Sequence, residues 1–175
     1  MEFVPLSLEG VFGIISNPTF DDRGAFMRVF DKSNPIDSFV LTQASVVTNP
    51  VVGTLRGLHF QAEGYAETKI VHCISGSVFD VVVDLRKSST TFKEHLSVSL
   101  GLMEAFQGIL IPKGFAHGYL TCNANSTLLY FMDQSYNAEF AKGIAWNDPM
   151  LKIDWPNSPT VISTRDSSFP SIESI

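Results

Sequence analysis

The sequence consists of short apolar stretches separated by turn residues, and no stretch keeps a helical hydrophobic period over ten or more residues. Residues 78–85 and 127–133 are rich in β-branched and aromatic side chains, as is typical of strands. Because turn signals follow these stretches at close intervals, the sequence predicts an all-β sandwich or barrel. A chain of 175 residues with no repeat or linker suits a single domain spanning residues 1–175.

Strands are predicted at residues 8–15, 25–30, 39–47, 53–61, 69–74, 78–85, 94–100 and 127–133. The glycine-containing link at residues 75–77 predicts a hairpin between the two strands that it joins. Short helices are expected only at residues 101–106 and in the tail, where a turn is predicted around residues 163–166.

Composition and charge exclude several classes of function. The net charge is −6 and no basic cluster occurs, so we expect no nucleic-acid partner. No apolar run reaches membrane-spanning length and the first residues do not resemble a signal peptide, so we expect a cytoplasmic protein. Cys73 and Cys122 lie apart in strand-like segments, which predicts two buried free thiols.

The stretch from Gly53 to Gln61 places Arg56 and His59 three residues apart in an otherwise apolar strand. Arginine can hold an anion, and histidine can exchange a proton near neutral pH. His59 is therefore a candidate base, and the alternative is an ordinary strand histidine without a catalytic role.

Other titratable side chains have two interpretations each. His117 lies between small residues after a Pro-x-Gly turn and either faces a cavity or has a structural role. Lys69 opens an apolar strand, and its ammonium group either reaches solvent or stabilises an oxyanion. Tyr130 is either a core residue or an acid facing a ligand. His95, beside two charged residues, is expected at the surface.

Asp80 and Asp84 lie on one face of a predicted strand, and Arg86 follows them. Because buried carboxylates need partners, a structural ion pair with Arg86 is the favoured interpretation of both. His72 shares a face with Ile70 and is a candidate contact for ligand phosphates at the rim of a cavity.

A metal centre and a nucleophilic serine or cysteine are not indicated. The four histidines include no H-x-H pair, and Gln61 stands two residues after His59. The sequence contains no G-x-S-x-G, Walker or G-x-G-x-x-G motif. The remaining chemistry is acid–base catalysis without a cofactor.

The motifs of the chain closely resemble those of the dTDP-4-dehydrorhamnose 3,5-epimerases, a family of nucleotide-sugar epimerases. They occur in the family's order and spacing over roughly residues 5–168. The matching stretches are residues 22–24, 55–61, 69–71, 76–89, 111–118, 129–130, 146–149 and 153–156.

The resemblance implies a cupin-like jelly-roll barrel with a few short helices and neither metal nor cofactor. It also implies a homodimer formed by strand exchange. The substrate would be a nucleoside diphosphate 4-keto-6-deoxy sugar, epimerised at C3, C5 or both during deoxysugar biosynthesis for a surface polysaccharide.

The same resemblance assigns catalytic roles to four residues. His59 matches the family's base, and Asp166 matches the aspartate that orients it. Lys69 matches the lysine that stabilises the C4 enolate, and Tyr130 matches the acid that returns a proton to the opposite face. Substrate contacts are implied or expected for Arg23, which would act across the dimer, and for Phe26, Arg28, Gln43, Ser45, Arg56, His72, His117 and Tyr136.

The chain departs from the family on the nucleotide side of the implied site. Arg28 stands where the family has an acidic residue, and His72 stands where it has an arginine. The strand at Gln43 lacks the family's asparagine and serine, and Ser135 replaces the first of two tyrosines. These changes leave open a dTDP, CDP or GDP substrate, and also a C3-only epimerase, a 3,4-ketoisomerase or an inactive sugar-nucleotide binder.

Overall fold

The chain forms two facing β-sheets in a computed structural model that describes residues 1–32, 35 and 38–175. The strands are β1 (Glu2–Pro5), β2 (Phe12–Ile15), β3 (Thr19–Asp21), β4 (Gly24–Phe26), β5 (Gln43–Asn49), β6 (Thr54–Gln61), β7 (Lys69–Ser75), β8 (Ser77–Asp84), β9 (His95–Gly101), β10 (Gly108–Ile111), β11 (Phe115–Thr121), β12 (Ser126–Met132), β13 (Ala141–Gly143) and β14 (Val161–Ile162). The helices are α1 (Thr164–Ser167) and a 3-10 turn at Ile172–Ser174.

One sheet has the order β1-β2-β10-β7-β12-β5, and the other has the order β13-β6-β11-β8-β9 with β14 added in parallel to β6. Strands β3 and β4 form a separate hairpin. Neighbours within the two main sheets are otherwise antiparallel, which is the arrangement of a jelly roll. The predicted all-β jelly-roll fold is confirmed.

The alternation of side chains along β7 decides which residues point into the barrel. Val71 and Cys73 join the apolar core between the sheets, which also contains residues of β8, β11 and β12. Ile70 belongs instead to a cluster on the outer face of the first sheet, together with Ile14 and Leu110. Lys69 therefore lies on the inner side and His72 on the outer side.

The predicted hairpin at residues 75–77 is wrong. Strands β7 and β8 lie in different sheets, so the turn at Gly76 carries the chain across the barrel. Both edges of β7 are occupied by β10 and β12, and β8 lies between β11 and β9. Gly76 has φ +69°, and a Cβ atom there would overlap Ser126, so glycine suits the crossing.

Several predicted bounds also needed correction. The predicted strand at 25–30 ends at Phe26, the strand at 8–15 begins only at Phe12, and the strand at 39–47 begins at Gln43. Residues 102–105 form turns and bends instead of a helix, whereas α1 forms at the position of the predicted turn at residues 163–166. Residues 33, 34, 36 and 37 of the predicted loop at 31–37 lie outside the described residues.

The cysteines are free thiols, but only Cys73 is buried, because Cys122 is exposed just beyond the end of β11. His95, predicted at the surface, is partly buried on β9, and this burial lowers its pKa. In the described part of the chain, every helix is too short to span a membrane.

Asp84 ends β8 as a buried hydrogen-bond acceptor. Its carboxylate accepts bonds from Nε and Nη2 of Arg86 at 2.9 and 2.7 Å and from the hydroxyls of Ser89 and Thr91 at 2.6 and 2.8 Å. Burial alone would raise the pKa of Asp84, but these bonds outweigh it and hold the pKa well below its ordinary value. The predicted ion pair with Arg86 is confirmed for Asp84.

Replacing Asp84 with asparagine is expected to lower the free energy of unfolding at pH 7 by about 3 kcal/mol, since a partly buried ion pair is broken. A depressed pKa contributes stability above the unfolded-state value of about 3.9, and this contribution is lost as the pH falls through the folded-state pKa. The difference in the free energy of unfolding between wild type and variant should therefore become smaller below about pH 4. Urea unfolding at pH 7 and pH 3 measures this difference, and a difference independent of pH would contradict this account.

Candidate active site

A cavity of about 260 Å³ opens between the two sheets, and we call it the barrel cavity. It is lined by Gln43, Ser45, Val47, Arg56, His59, Lys69, His117, Gly118, Tyr119, Tyr130 and Met132. A groove of about 460 Å³ also runs along the β3–β4 hairpin, but its lining residues are exposed and its charged groups are Asp21 and Arg23, paired with each other. The barrel cavity alone of these two combines bases, acids and cations.

Arg56 and His59 face the same cavity because β6 carries an extra residue. On a regular strand, residues three apart point to opposite faces. Against β11, however, His59 pairs with His117 and Arg56 pairs with Tyr119, so three steps on β6 match two on β11. The bulge thus brings a candidate anion contact and a candidate base to one face.

Gly57 makes this bulge possible. Its φ is +126°, and a Cβ atom there would lie 2.5 Å from Cα of Gly118 on β11. The two glycines allow the strands to approach each other closely. The backbone N–H of Gly57 then donates a hydrogen bond of 3.0 Å to Oδ2 of Asp166.

His59 and Asp166 form a hydrogen-bonded pair, with 2.8 Å between Nε2 and Oδ1. Asp166 is buried on α1, where its backbone N–H donates to Oγ of the capping residue Ser163. Burial alone would raise the pKa of Asp166, but the bonds from His59, Gly57 and Ser163 lower it. The ionised carboxylate can only accept, so Nε2 carries the hydrogen.

The second nitrogen of His59, Nδ1, makes no hydrogen bond within the described residues. The side chain is 40% exposed and Phe169 packs edge-on against the ring at 5.5 Å between centroids. On a ring held by Asp166 and Phe169, Nδ1 has the geometry that a general base needs.

His117 lies beside His59 and belongs to a second histidine–aspartate pair. Its Nε2 is 2.8 Å from Oδ2 of Asp80, and both side chains are buried. Burial raises the pKa of Asp80, and His117 opposes the shift. The predicted pairing of Asp80 with Arg86 is wrong. Arg86 pairs with Asp84, which lies four residues, or about 13 Å, farther along the strand from Asp80.

Lys69 is buried, so the interpretation that its ammonium group reaches solvent is wrong. Nζ lies 2.9 Å from Oε1 of Glu67 and donates to the backbone oxygen of His59 at 3.4 Å. Only 10% of the Lys69 side chain and 7% of the Glu67 side chain are exposed. The ammonium group is thus fixed at the wall of the cavity beside the candidate base.

Tyr130 lines the cavity from the sheet opposite His59. Its hydroxyl makes no hydrogen bond within the described part of the chain, and its ring lies 6.0 Å from that of His117. Burial, followed by the nearby Tyr119 and Asp80, raises the pKa of Tyr130 well above its ordinary value. The hydroxyl therefore keeps its proton and is available as a donor.

Arg56 and Lys69 are the two cations that line the cavity. Nε of Arg56 donates a bond of 2.8 Å to Oδ1 of Asn49, and no carboxylate pairs with Arg56 among residues 1–32, 35 and 38–175. The side chain is exposed. The terminal nitrogens of its guanidinium group are consequently available to an anion.

Gln43 and Ser45 lie together on the β5 side of the cavity. Nε2 of Gln43 donates to Oγ of Ser45 at 3.4 Å, and its Oε1 accepts from the backbone N–H of Tyr136 at 2.9 Å. Tyr136 is 58% exposed next to this bond. These three predicted substrate contacts are thus brought together on one side of the site.

Arg23, Phe26 and Arg28 do not line the cavity of their own chain. The side chain of Arg23 is 90% exposed and pairs with Asp21, while Phe26 is 72% exposed on the same hairpin. Arg28 lies 3.5 Å from Asp31 beyond the end of β4.

His72 is also absent from the cavity, and its predicted approach to phosphates from the rim is wrong within this chain. The alternation of β7 turns it to the outer face of the first sheet, where it is buried next to Gly108. Neither ring nitrogen makes a well-formed hydrogen bond. Burial lowers the pKa of His72 to about 4, against the opposing effect of the Val29 and Gln107 carbonyl groups.

Four residues around the site were not singled out as site residues from the sequence: Asn49, Glu67, Asp80 and Phe169. Each contacts a predicted site residue. Asn49 and Asp80 did carry a signal, because a polar residue on the inward face of a strand needs a partner. In the described residues, no three histidine, cysteine, aspartate or glutamate side chains are grouped to hold a metal ion.

Comparison with known proteins gives concordant results. The family model described as dTDP-4-dehydrorhamnose 3,5-epimerase matches residues 5–174. The dTDP-4-dehydrorhamnose 3,5-epimerase of Sinorhizobium fredii is 38% identical over 98% of this chain and 90% of its own length. The dTDP-4-dehydrorhamnose 3,5-epimerase of Methanothermobacter thermautotrophicus is 40% identical over 95% of this chain and 92% of its own length.

A solved structure shares the fold over nearly the whole chain. It is the dTDP-6-deoxy-D-glucose-3,5-epimerase of Legionella pneumophila in complex with dTDP-4-keto-L-rhamnose. Its TM-score is 0.92 with 29% sequence identity, and the match covers 99% of this chain and 94% of that protein.

Proposed function

The chain belongs to the dTDP-4-dehydrorhamnose 3,5-epimerase family of isomerases, and we propose that it epimerises a dTDP-linked 4-keto-6-deoxy sugar through a C4 enolate. The observation that carries the proposal is that His59, which is hydrogen-bonded to Asp166, lines one cavity with Lys69 and Tyr130. These groups supply a base, an oxyanion stabiliser and an acid without any cofactor.

The reaction begins at the carbon next to the C4 ketone. Nδ1 of His59 takes the proton from this carbon, and the electron pair of the broken C–H bond moves to O4 and forms the enolate. Asp166 stabilises the resulting imidazolium, as an oriented carboxylate does beside a histidine base. The ammonium group of Lys69 stabilises the negative oxygen.

Reprotonation from the other face completes the inversion. Tyr130 stands on the sheet opposite His59 and keeps its proton at neutral pH. Its hydroxyl donates that proton to the enolate carbon, and O4 returns to a ketone. The tyrosinate and the imidazolium then exchange protons with solvent, so the enzyme returns to its starting state.

The nucleotide end of the substrate is assigned to the Arg56 side of the cavity. The free guanidinium nitrogens of Arg56 suit a diphosphate, while Gln43, Ser45 and Tyr136 offer polar groups beside it. The dTDP substrates named for the relatives support a thymidine nucleotide here, despite the departures at Arg28 and His72.

We assign the protein to a homodimer in which the β3–β4 hairpin contributes to the partner's site. Phe20 and Phe26 are 58% and 72% exposed on this hairpin, and Arg23 lies between them with a largely exposed side chain. Exposed apolar groups of this kind are typical of a protein interface. Sedimentation equilibrium should give twice the chain mass of 19.3 kDa, and a monomeric mass would refute the dimer.

A solvent-exchange assay tests the activity directly. The enzyme is incubated in D₂O with 4-keto-6-deoxyglucose linked to dTDP, CDP or GDP, and NMR follows deuterium at C3 and C5 separately. We expect incorporation and inversion at both carbons with the dTDP substrate. Incorporation at C3 alone would identify a C3-only epimerase, a 3-keto product would identify a ketoisomerase, and no exchange with any nucleotide would refute the proposal.

A further inference from the structure

Asn49, at the end of β5, is fully buried and uses all of its side-chain polar atoms. Its Oδ1 accepts bonds from Nε of Arg56 at 2.8 Å and from the hydroxyl of Tyr119 at 3.3 Å. Its Nδ2 donates to the carbonyl oxygen of Ser126 at 3.1 Å. The Arg56 side chain can only donate, and the carbonyl group of Ser126 can only accept. The Asn49 amide must therefore point its oxygen toward Arg56 and its nitrogen toward Ser126.

This arrangement constrains the Arg56 side chain at its Nε edge. A guanidinium group is planar and rigid, so a bond to Nε fixes the plane of the whole group. The two terminal nitrogens are left for a ligand in the cavity that Arg56 lines. Without the Asn49 contact, this exposed side chain would sample several rotamers, and a ligand would have to immobilise it on binding.

We propose that Asn49 is a positioning residue that holds the Arg56 guanidinium group in the orientation that binds the diphosphate of the substrate. The proposal rests on the proposed function in one respect, since it takes Arg56 as the diphosphate contact. Tyr119 supports the same amide oxygen from β11, so the contact joins three strands around the anion end of the cavity.

A purely structural role for Asn49 makes a different prediction. The bond from Nδ2 to Ser126 ties β5 to β12, where the two residues are already paired in the sheet. If that bond were the whole contribution, loss of Asn49 would lower stability and would affect ligand binding in the same way whether or not Arg56 is present.

A double-mutant cycle separates the two roles. Binding of dTDP and of inorganic pyrophosphate is measured by calorimetry for wild type, Asn49→Ala, Arg56→Ala and the double variant. We expect Arg56→Ala to weaken binding by tenfold or more and Asn49→Ala by about threefold to tenfold, the cost of immobilising a free side chain. In the Arg56→Ala background, Asn49→Ala should have no further effect. An undiminished effect in that background would overturn the proposal.

Two controls accompany the cycle. Thr48→Ala removes a neighbouring exposed side chain on β5 and should leave binding unchanged. For Asn49→Ala, turnover should show a raised KM and a kcat within about twofold of wild type. The lost contact would contribute equally to binding the substrate and the transition state, and the groups that transfer protons would be unchanged. If Asn49→Ala does not fold, Asn49→Ser replaces it, because serine fits the space but is too short to reach Arg56.

A measurement without ligand keeps this test independent of the proposed function. NMR of the free enzyme observes the Nε–Hε group of Arg56, identified by its loss in Arg56→Lys. The signal should be protected from solvent exchange in wild type and Thr48→Ala, and should lose that protection in Asn49→Ala or Asn49→Ser. Protection that survives in these variants would overturn the positioning role, whereas absence of dTDP binding by wild type would refute the assigned nucleotide instead.

Discussion

Replacement of His59 with asparagine is expected to reduce deuterium incorporation by about 10³-fold, within the range for loss of a general base. Asparagine preserves the size of the side chain near Asp166 but cannot accept the proton of an acidic carbon. None of the other cavity groups substitutes for it: Lys69 is paired with Glu67, Tyr130 keeps its proton, and His117 is engaged with Asp80. NMR of the substrate in D₂O measures the rate at each carbon.

His95→Asn is the matched control for this experiment. His95 lies on β9, does not line the barrel cavity and is partly buried like many strand histidines. Its replacement should leave exchange at the wild-type rate. A His59→Asn variant that retains a tenth or more of that rate, with dTDP binding intact, would show that the base is another group.

His59 and Arg56 were predictable because their signals are local. A histidine and an arginine in an apolar strand flanked by glycines indicate a site, and the glycines explain the bulge that turns both side chains to one face. An all-β sandwich or barrel was predictable for a similar reason, since closely spaced strands without a helical period leave few other architectures, whereas the jelly roll was implied only by the resemblance to a family.

Asp166 was predictable only from the resemblance to a family. It lies 107 residues from His59 in a segment of polar residues that resembles a surface tail. Its place is fixed by long-range packing: the chain beyond β14 forms α1, and Ile172 anchors the end of the chain in a second core cluster. Local propensity contains no information on such contacts.

Two of the errors have a common physical origin in sheet assignment. The hairpin at Gly76 failed because a glycine turn fits a crossing between sheets as well as a hairpin within one sheet. Asp80 was paired with Arg86, the cation closest in sequence, whereas its partner His117 comes from the neighbouring strand β11. Both corrections depend on which strands are neighbours, and the order of strands in space is not the order in the chain.

Replacement of Tyr130 with phenylalanine is expected to separate proton abstraction from inversion. His59 and its partner are unchanged, so the proton next to the ketone should still be removed and the enolate formed. A deuterated imidazolium would return deuterium to the face from which the proton came, and the sugar would keep its configuration. We therefore expect continued deuterium incorporation while the inverted product falls by about 10²-fold, the lower range for loss of a general acid.

Two NMR signals of the same sample decide this prediction: deuterium at the exchanging carbon, and the coupling constants that distinguish the two epimers. Tyr65→Phe is the control, because Tyr65 packs against Phe140 outside the barrel cavity and should show wild-type inversion. Unchanged inversion in Tyr130→Phe would place the acid on another group or on water. Loss of both exchange and inversion would mean that the Tyr130 hydroxyl is needed before the enolate forms. The assignment of proton removal to His59 and of reprotonation alone to Tyr130 would then be wrong.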